Sequence, residues 1–285
     1  MASLREVRGR MRSVGGIAKV VHAMGAVSAV TVRRLQARVE SAAPYADWSW
    51  RLLSSLPLPE AAAPSDAPSE EESLQPERTG VILFSSTRGM AGAFDHNVIQ
   101  RMLELLETLP NAEIITVGTK GRDAMKRHGY AVAADWSQLD ERSAPEDIAP
   151  LAAQMLNAFH NKALQRVLLV YTRARGEHRH QPAVRVLLPV DRDTAQADRH
   201  AFLEPGPAEL AQSLLPAAVE SALYLALVES LAAEYAARAI VMRSASNNAR
   251  DLAEQLRLTY NKMRQEAITA EMNEVSSALS LEAAV

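Results

Sequence analysis

Apolar residues at the start of the chain recur every three or four positions, the spacing of one face of an α-helix. The predicted stripe within residues 1–53 consists of Leu4, Val7, Met11, Val14, Ile17, Val21, Met24 and Val27. Gly15 and Gly16 lie within it, and a glycine costs roughly 1 kcal/mol of helix stability relative to alanine. We therefore expect a kink, or a close approach by another chain, at this pair.

The last part of the chain predicts one long helix. After Pro216 it contains neither proline nor glycine, so residues 217–282 can form a helix of about 100 Å at ~1.5 Å per residue. The predicted seam of this helix consists of Leu252, Leu256, Thr259 and Met263. Residues 1–40 carry eight Lys/Arg and two Glu, whereas residues 217–285 carry six Lys/Arg and nine Asp/Glu. Two terminal helices of opposite charge are expected to pack antiparallel as a coiled coil.

The middle of the chain alternates β-rich and helical patterns. Strands are predicted at 81–85, 114–117, 130–133, 167–172 and 183–189, and helices at 98–109, 120–128 and 148–162. Such alternation indicates an α/β fold with a largely parallel sheet and helices on its faces.

Four regions follow from these patterns. They are an N-terminal helix at 1–53, a flexible linker at 54–79, an α/β domain at 80–206 and a C-terminal helix at 207–285. The linker is assigned from its five prolines and the acidic cluster at 70–72, a composition that cannot bury a core.

The composition limits the possible chemistry. The chain has no cysteine, which excludes disulfides, thiol catalysis and thiolate metal sites. A net charge of −3 argues against a general nucleic-acid binder. No apolar run approaches the ~20 residues that span a bilayer, and His, Asp and Glu show no metal-ligand spacing.

The segment TRGMAGAFDHN at 87–97 follows a strand pattern and precedes a helical one, as a phosphate-binding loop does. A Walker loop needs a lysine and a Ser/Thr after its second glycine, where this chain has Ala93 and Phe94. The second such turn, VGTKGRD at 117–123, also lacks the full G-x-G-x-x-G pattern. We therefore predict no cofactor site and no catalytic residue, and interpret the glycines as a sharp turn.

Polar residues lie near the end of the predicted C-terminal helix, in AITAEMNEV at 267–275. Thr269, Glu271 and Glu274 have no core of their own at that position. The residue pattern leaves two interpretations open, an end embedded in another protein and a solvated terminus.

Three regions of the chain resemble the gamma subunit of F-type ATP synthases. LREVRGRMRSVGGIAKVVHAMGAVSA at 4–29 is similar to the family's I-R-x-x-I-x-S-V…K-I-T-K-A-M-x-M-V-A-A segment. SSTRGMAGAFDHNV at 85–98 is similar to T-S-D-R-G-L-C-G-G-x-N-x-N. The third region contains two blocks, ESLAAEYAARAIVMRSASNNARDL at 229–252 and LTYNKMRQEAITAEMNEV at 258–275. They are similar to E-x-L-A-S-E-x-A-A-R-M-x-A-M-x-x-A-T-x-N-A and L-x-Y-N-x-x-R-Q-A-x-I-T-x-E-I-x-E-I.

This sequence departs from the family pattern at several positions. His22 replaces a lysine and Gly25 an acidic residue, while Ala91 and Ala93 replace a cysteine and a glycine. These changes indicate a divergent branch of the family.

The resemblance implies a long antiparallel coiled coil of N- and C-terminal helices with an inserted Rossmann-like α/β domain that binds no nucleotide. It implies a central-stalk rotor subunit that couples ion flow through the membrane c-ring to ATP synthesis or hydrolysis on the alpha/beta hexamer. Such a subunit is not itself catalytic. Its implied location is peripheral, on the cytoplasmic face of a bacterial inner membrane.

The resemblance also implies the partners. These are the alpha, beta and epsilon subunits and the c-ring, with no nucleic acid and with membrane attachment only through the c-ring. The residues expected to contact partners are Met24, Arg264, Gln265, Thr269, Glu271 and Glu204.

Two other functions compete with this one. A nucleotide-binding α/β enzyme with helical arms would need a complete phosphate loop and an acid/base pair. A static coiled-coil scaffold would show a cleaner heptad repeat than the weak predicted seam.

Overall fold

The structure is a computed structural model that describes residues 3–56, 77–175, 179–190, 204 and 206–282. The helices are α1 (Leu4–Ser55), α2 (Phe94–Glu107), α3 (Thr119–Arg127), α4 (Ala149–His160) and α5 (Pro207–Glu282). The strands are β1 (Thr79–Phe84), β2 (Ala112–Val117), β3 (Val132–Asp135), β4 (Arg166–Arg175) and β5 (Arg179–Leu188). Contacts divide the chain into two compact units, residues 29–238 and residues 1–28 with 239–285. We call the first the sheet unit and the second the two-helix unit.

The sheet unit contains one five-stranded sheet in the order β3-β2-β1-β4-β5. The first four strands are parallel, and β5 runs antiparallel to β4 at one edge. The central strand β1 reads TGVILF and is buried at every position. A continuous apolar run of this kind is typical of a strand covered on both faces.

Helices cover both faces of this sheet. Since alternate residues of a strand point to opposite sides, a single strand contacts both layers of helices. On one face Val81 and Leu83 pack with residues of α2 and α3. On the other face Ile82 and Phe84 pack with residues of α4 and α5. The three layers form the α/β fold that the sequence predicts.

The two-helix unit consists of the first part of α1 and the last part of α5. The helices are antiparallel, because Gly25 lies against Met242 whereas the earlier residue His22 lies beside the later Arg250. In this unit the buried and half-buried positions of α1 that form one series are Leu4, Val7, Met11, Val14, Ala18, Val21, Gly25 and Ser28. Gly15 and Met24, each next to a member of this series, are also half-buried. Those of α5 include Met242, Ser246, Ala249, Ala253, Leu256, Tyr260 and Met263. Both series follow the three-four spacing of a coiled coil.

This observed seam corrects the predicted one. Ile17 and Val27 are exposed, and Ala18 and Ser28 take their places. On α5, Leu252 and Thr259 are exposed. The prediction is wrong at these positions because small residues fill the seam, and a search for large apolar residues overlooks them. The repeat is regular, so it does not argue against a static scaffold.

The glycine pair of α1 has no close neighbour among the described residues, and its approach to another chain stays a prediction. The helix continues through Gly15 and Gly16. A side-chain carbon placed on either would meet no described atom within 4 Å. Within this chain a close approach occurs at Gly25, where such a carbon would lie 3.2 Å from Cβ of Met242.

The C-terminal helix includes ten residues before the proline-free stretch predicted at 217–282. Helix α5 starts at Pro207 and contains Pro216. Proline suits the first helical turn, where its missing N–H has no partner to lose. The predicted linker at 54–79 lies mainly outside the described residues.

Both long helices contain a stretch apolar enough to cross a membrane by length and composition alone, with mean hydropathy of 1.4 in α1 and 1.5 in α5. In α5, 56% of that stretch is buried in the protein, as expected for a core helix, which passes the same test. In α1 only 11% is buried, so the described residues leave most of this apolar stretch uncovered.

Candidate partner-contact surface and glycine loop

The polar residues expected at the end of α5 lie on its surface. Arg264, Gln265, Thr269 and Glu271 are all exposed. The Thr269 hydroxyl donates a hydrogen bond to the backbone carbonyl of Gln265, at 2.9 Å. Residues three or four apart neighbour each other on a helix, so the four side chains occupy one region of the α5 surface.

The later part of this region extends past the start of α1. His22 lies beside Arg250, so in an antiparallel register the first residue of α1, Leu4, falls opposite roughly residue 268. Every described residue from 264 to 273 is exposed. The described residues of the chain therefore leave this end of α5 uncovered.

The other expected contact residues are elsewhere. Met24 is half-buried next to Gly25, which lies against Met242. Arg264 is therefore roughly 30 Å farther along α5 at ~1.5 Å per residue, and the structure does not bring Met24 to the tip. Glu204 belongs to the sheet unit and is exposed.

Large apolar side chains also face outward in the two-helix unit. Between 46 and 67% of each remains exposed for Ile17, Val20, Val27, Ile240, Leu252, Leu258, Ile268 and Met272. Exposed apolar surface of this extent is typical of a protein-protein contact. Sequence analysis missed these residues because it assigned several of them to the seam.

The glycine loop, residues 85–93 after β1, packs against the start of α3. The Gly121 amide donates to Oγ of Ser85 at 2.8 Å, and the Lys120 amide donates to the Ser86 carbonyl at 3.0 Å. A phosphate would use the free amides of a helix N-terminus. Here oxygens of the chain itself occupy these two amides.

Gly118 makes this close packing possible. Its φ is +104°, and a side-chain carbon there would lie 2.1 Å from the Ser85 carbonyl oxygen. Only glycine adopts such a backbone without strain. The loop is further held by Asp95, whose carboxylate accepts from the amide and the hydroxyl of Ser86 at 2.9 and 2.6 Å.

The other side of the glycine loop contacts α5. Arg238 donates from Nη2 to the carbonyl oxygens of Arg88 and Gly89, at 3.0 and 3.3 Å, and from Nε to Gly89 at 3.3 Å. Its guanidinium also pairs with Glu234, four residues earlier on α5, and lies 4.9 Å from the centre of the Tyr235 ring. The loop therefore presents carbonyls to a cation of its own chain.

Burial changes the titration of the groups around Arg238. It raises the pKa of Glu234 from 4.5 to about 7, although the Arg238 guanidinium acts in the opposite direction. Burial and the nearby Glu141 carboxylate raise the pKa of Tyr235 to about 12. Removal from water disfavours the charged form of either acid.

A small cavity of about 30 Å³ adjoins this cluster. Its lining includes Thr87, Arg88, Asp140, Glu141, Glu234 and Tyr235. The space suits about one water molecule and is too small for a nucleotide. Among the residues that the structure describes, no group of three or more His, Asp or Glu is arranged to hold a metal ion.

Comparison with known proteins identifies the chain. The family model described as ATP synthase matches residues 3–280. The ATP synthase gamma chain of Chloroflexus aurantiacus is 32% identical over 97% of this chain and 98% of its own length. That of Roseiflexus castenholzii is 35% identical over 97% of both chains, and that of Mycobacterium tuberculosis 33% over 96% of both.

This chain belongs to the ATP synthase gamma-chain family. The resemblance found in the sequence is thereby confirmed, and with it the function of a central-stalk subunit.

Solved structures show the same fold as this gamma-family chain. It aligns with a chain of the Euglena gracilis mitochondrial ATP synthase OSCP/F1/c-ring structure with a TM-score of 0.66, 20% identity, and coverage of 97% of this chain and 93% of that one. A chain of the Euglena rotor structure gives a TM-score of 0.62 at 20% identity, covering 93% and 98%. The predicted fold class is therefore confirmed.

The sequence pattern assigns no role to Arg238 and Glu234, although both lie within the stretch 229–252 that resembles the family. A signal was present, because an Arg and a Glu four residues apart can pair on one helix face. The alanines around them indicate a helix that neighbours approach closely. Ala233 is fully buried against Ala91 and Phe94 of the loop region.

Proposed function

We propose that this gamma-family chain is the non-catalytic shaft that turns within the alpha/beta hexamer. One observation carries the proposal: in the two-helix unit, large apolar residues and a polar tip are left exposed by the residues that the structure describes. The solved Euglena structure in which one chain shares the fold of this protein contains F1 and a c-ring. In this chain the two-helix unit would contact the alpha and beta subunits, and the sheet unit would contact the epsilon subunit and the c-ring.

The coupling mechanism follows from asymmetry. Two unlike helices present different side chains to each of three surrounding catalytic sites. A contact that differs among the sites shifts the conformational equilibrium of each by a different amount, which equal contacts cannot do. Rotation driven by ion flow through the c-ring would then pass each site through the same sequence of states.

The absence of catalysis on this chain is part of the proposal. The phosphate-loop positions hold Ala93 and Phe94, and Phe94 is buried. The amides of the α3 N-terminus bind loop oxygens, and the loop carbonyls bind Arg238. Nucleotide chemistry would therefore take place on other subunits, which counts against the nucleotide-binding enzyme.

Partner contacts are proposed for two separate parts of the two-helix unit. Met24 and the exposed valines and isoleucine near it form one apolar contact. The second contact is the polar tip formed by Arg264, Gln265, Thr269 and Glu271. Arginine can bond a carboxylate through two parallel N–H groups, which lysine cannot reproduce. Glu204 of the sheet unit is proposed as a contact to the foot of the stalk.

The location follows from the same assembly. The relatives compared above are bacterial gamma chains, members of a membrane-associated complex. We place this chain on the cytoplasmic face of a bacterial inner membrane, attached only through the c-ring.

Substitution at the tip tests the proposal. The double variant Arg264→Ala, Gln265→Ala is co-expressed with alpha and beta subunits, and steady-state ATP hydrolysis of the purified complex is measured. We expect a severalfold lower turnover, because polar contacts that differ among the sites are lost, with unchanged circular dichroism since both residues are exposed.

Lys262→Ala provides the matched control, since Lys262 is an exposed cation two residues earlier that pairs with Glu266 on its own helix. It should retain wild-type turnover. Wild-type turnover from the double variant would instead mean that the tip is a passive spindle. A wild-type chain that co-purifies with the hexamer without affecting its hydrolysis would support the static scaffold.

A further inference from the structure

Arg238 of α5 is hydrogen-bonded to the glycine loop. Arg238 is 4% exposed, and its guanidinium donates three hydrogen bonds to the carbonyl oxygens of residues 88 and 89. Carbonyl oxygens accept charge-assisted bonds that are shorter and stronger than neutral ones. Arg238 therefore connects the end of β1 directly to the helix.

Glu234 determines where that guanidinium points. Its carboxylate pairs with Nη2, the same nitrogen that contacts Arg88 and Gly89. Both partners of the pair are buried, so solvent screens the interaction little. The Tyr235 ring covers the guanidinium at 4.9 Å. The arginine is thus held on two sides before it meets the loop.

The loop adopts a backbone that needs such restraint. Met90 has a φ of +66°, in the left-handed region, and its side chain is 57% exposed. A non-glycine residue in this region persists only where its surroundings impose the conformation. The contacts that impose it include the Arg238 bonds to the two preceding carbonyls.

We infer that Glu234 and Arg238 form a latch that fastens the glycine loop to α5, in addition to the apolar packing of this helix on the sheet. Both residues are positioning residues. An effect of the latch on the coupling of ATP hydrolysis to ion transport rests on the proposed function, because only a rotating subunit has to transmit rotation between the sheet and α5.

Hydrogen exchange on the full chain tests the latch without reference to function. The amides of residues 86–97 are compared between the wild type and Arg238→Gln, with exchange of β1 as the folding control. We expect roughly tenfold or faster exchange in the variant, because the charge-assisted bonds are lost. Arg238→Lys keeps the charge but cannot reach both carbonyls and the carboxylate in one plane, so it should give an intermediate rate.

A double variant separates the latch from simple charge balance. Arg238→Gln leaves Glu234 buried without its cation, and Glu234→Gln in the same chain removes that charge. If the latch exists, the loop of the double variant exchanges as fast as that of the single one. Wild-type protection in the double variant, or in Arg238→Lys and Arg238→Gln alike, would overturn the inference.

The coupling consequence needs the assembled complex in vesicles. The ratio of ATP-driven ion transport to ATP hydrolysis should fall in Arg238→Lys and remain at the wild-type value in Glu220→Gln, a half-buried glutamate on the same helix. Transport and hydrolysis that fall together would refute a role in coupling. If the wild-type complex itself neither hydrolyses ATP nor transports ions, the proposed function fails, and the exchange result stands by itself.

Discussion

The two parts of helix α5 have opposite surroundings. Between residues 218 and 238 most side chains are buried, including Glu229, Glu234 and Arg238. Between residues 250 and 273 no described residue is buried. The first part is a core helix of the sheet unit and draws its stability from its own chain. The second exposes apolar residues that we propose other subunits bury, so one helix would combine a folding element and an assembly element.

The largest expected effect is confined to the sheet unit. Gly118→Ala places a side-chain carbon 2.1 Å from the Ser85 carbonyl at a φ of +104°, and backbone atoms cannot move aside cheaply. We expect the free energy of unfolding to fall by roughly 3 kcal/mol or more. Urea unfolding measured by tryptophan fluorescence reports this unit alone, because all three tryptophans lie within residues 29–238.

Gly129→Ala is the matched control for that substitution. Its φ is +83°, but no described atom lies within 4 Å of an added side-chain carbon. It should lose only about 1–2 kcal/mol, the conformational cost of a left-handed residue. Equal losses in both variants would show that the contact with Ser85 is unimportant.

The buried carboxylate predicts a pH dependence of the same unit. The pKa of Glu234 is raised from 4.5 to about 7, so the folded state keeps a proton that the unfolded state loses between these values. Its contribution to stability is complete below about pH 4.5 and is lost as the pH rises through 7. The loss amounts to as much as roughly 3 kcal/mol.

The measurement is the difference in unfolding free energy between wild type and Glu234→Gln from pH 5 to 8. The groups that face or border this carboxylate are Arg238, Tyr235, Asp95, Glu141, Asp140 and Arg88. We expect the stability of the wild type to decline relative to the variant as the pH rises. Parallel curves would mean that burial does not perturb this acid. Glu220→Gln, which retains Glu234, should decline with the wild type.

The smallest effect contrasts two glycines of the two-helix unit. Gly15→Ala meets open space and should raise helix stability by roughly 1 kcal/mol. Gly25→Ala places a carbon 3.2 Å from Cβ of Met242, so the repulsion should cancel that gain. Thermal unfolding by far-UV circular dichroism compares the two. An equal gain in both would mean that the helices separate at Gly25 without cost.

The sequence predicts the elements of the sheet unit well because their apolar patterns are strong. The strand β1 is a continuous apolar run, and the helices on both faces show regular periodicity. The seam of the two-helix unit was partly misassigned, because Ala18, Gly25 and Ser28 carry little hydrophobic signal. Their role appears only when a second helix lies against them.

The candidate site shows the same limit. The tip residues were proposed as partner contacts from a family motif. The local residue pattern alone did not distinguish an embedded end of the helix from a solvated one. The Arg238 latch joins residues about 150 positions apart in the sequence, and no local periodicity contains such a pairing. The glycine loop was correctly interpreted as a sharp turn, but its contact with Arg238 could be recognised only in the folded structure.

The unpartnered end of α5 has a consequence for how it becomes helical. An isolated helix shorter than about 12–15 residues is marginal in water because forming its first turn is unfavourable. The residues from roughly 268 to the end of α5 at Glu282 are about that long. They continue a helix whose earlier turns are already formed against α1, so they need no nucleus of their own. Each further residue of the helix is added by propagation alone. The position opposite the start of α1 is therefore where α5 begins to extend without a neighbouring helix.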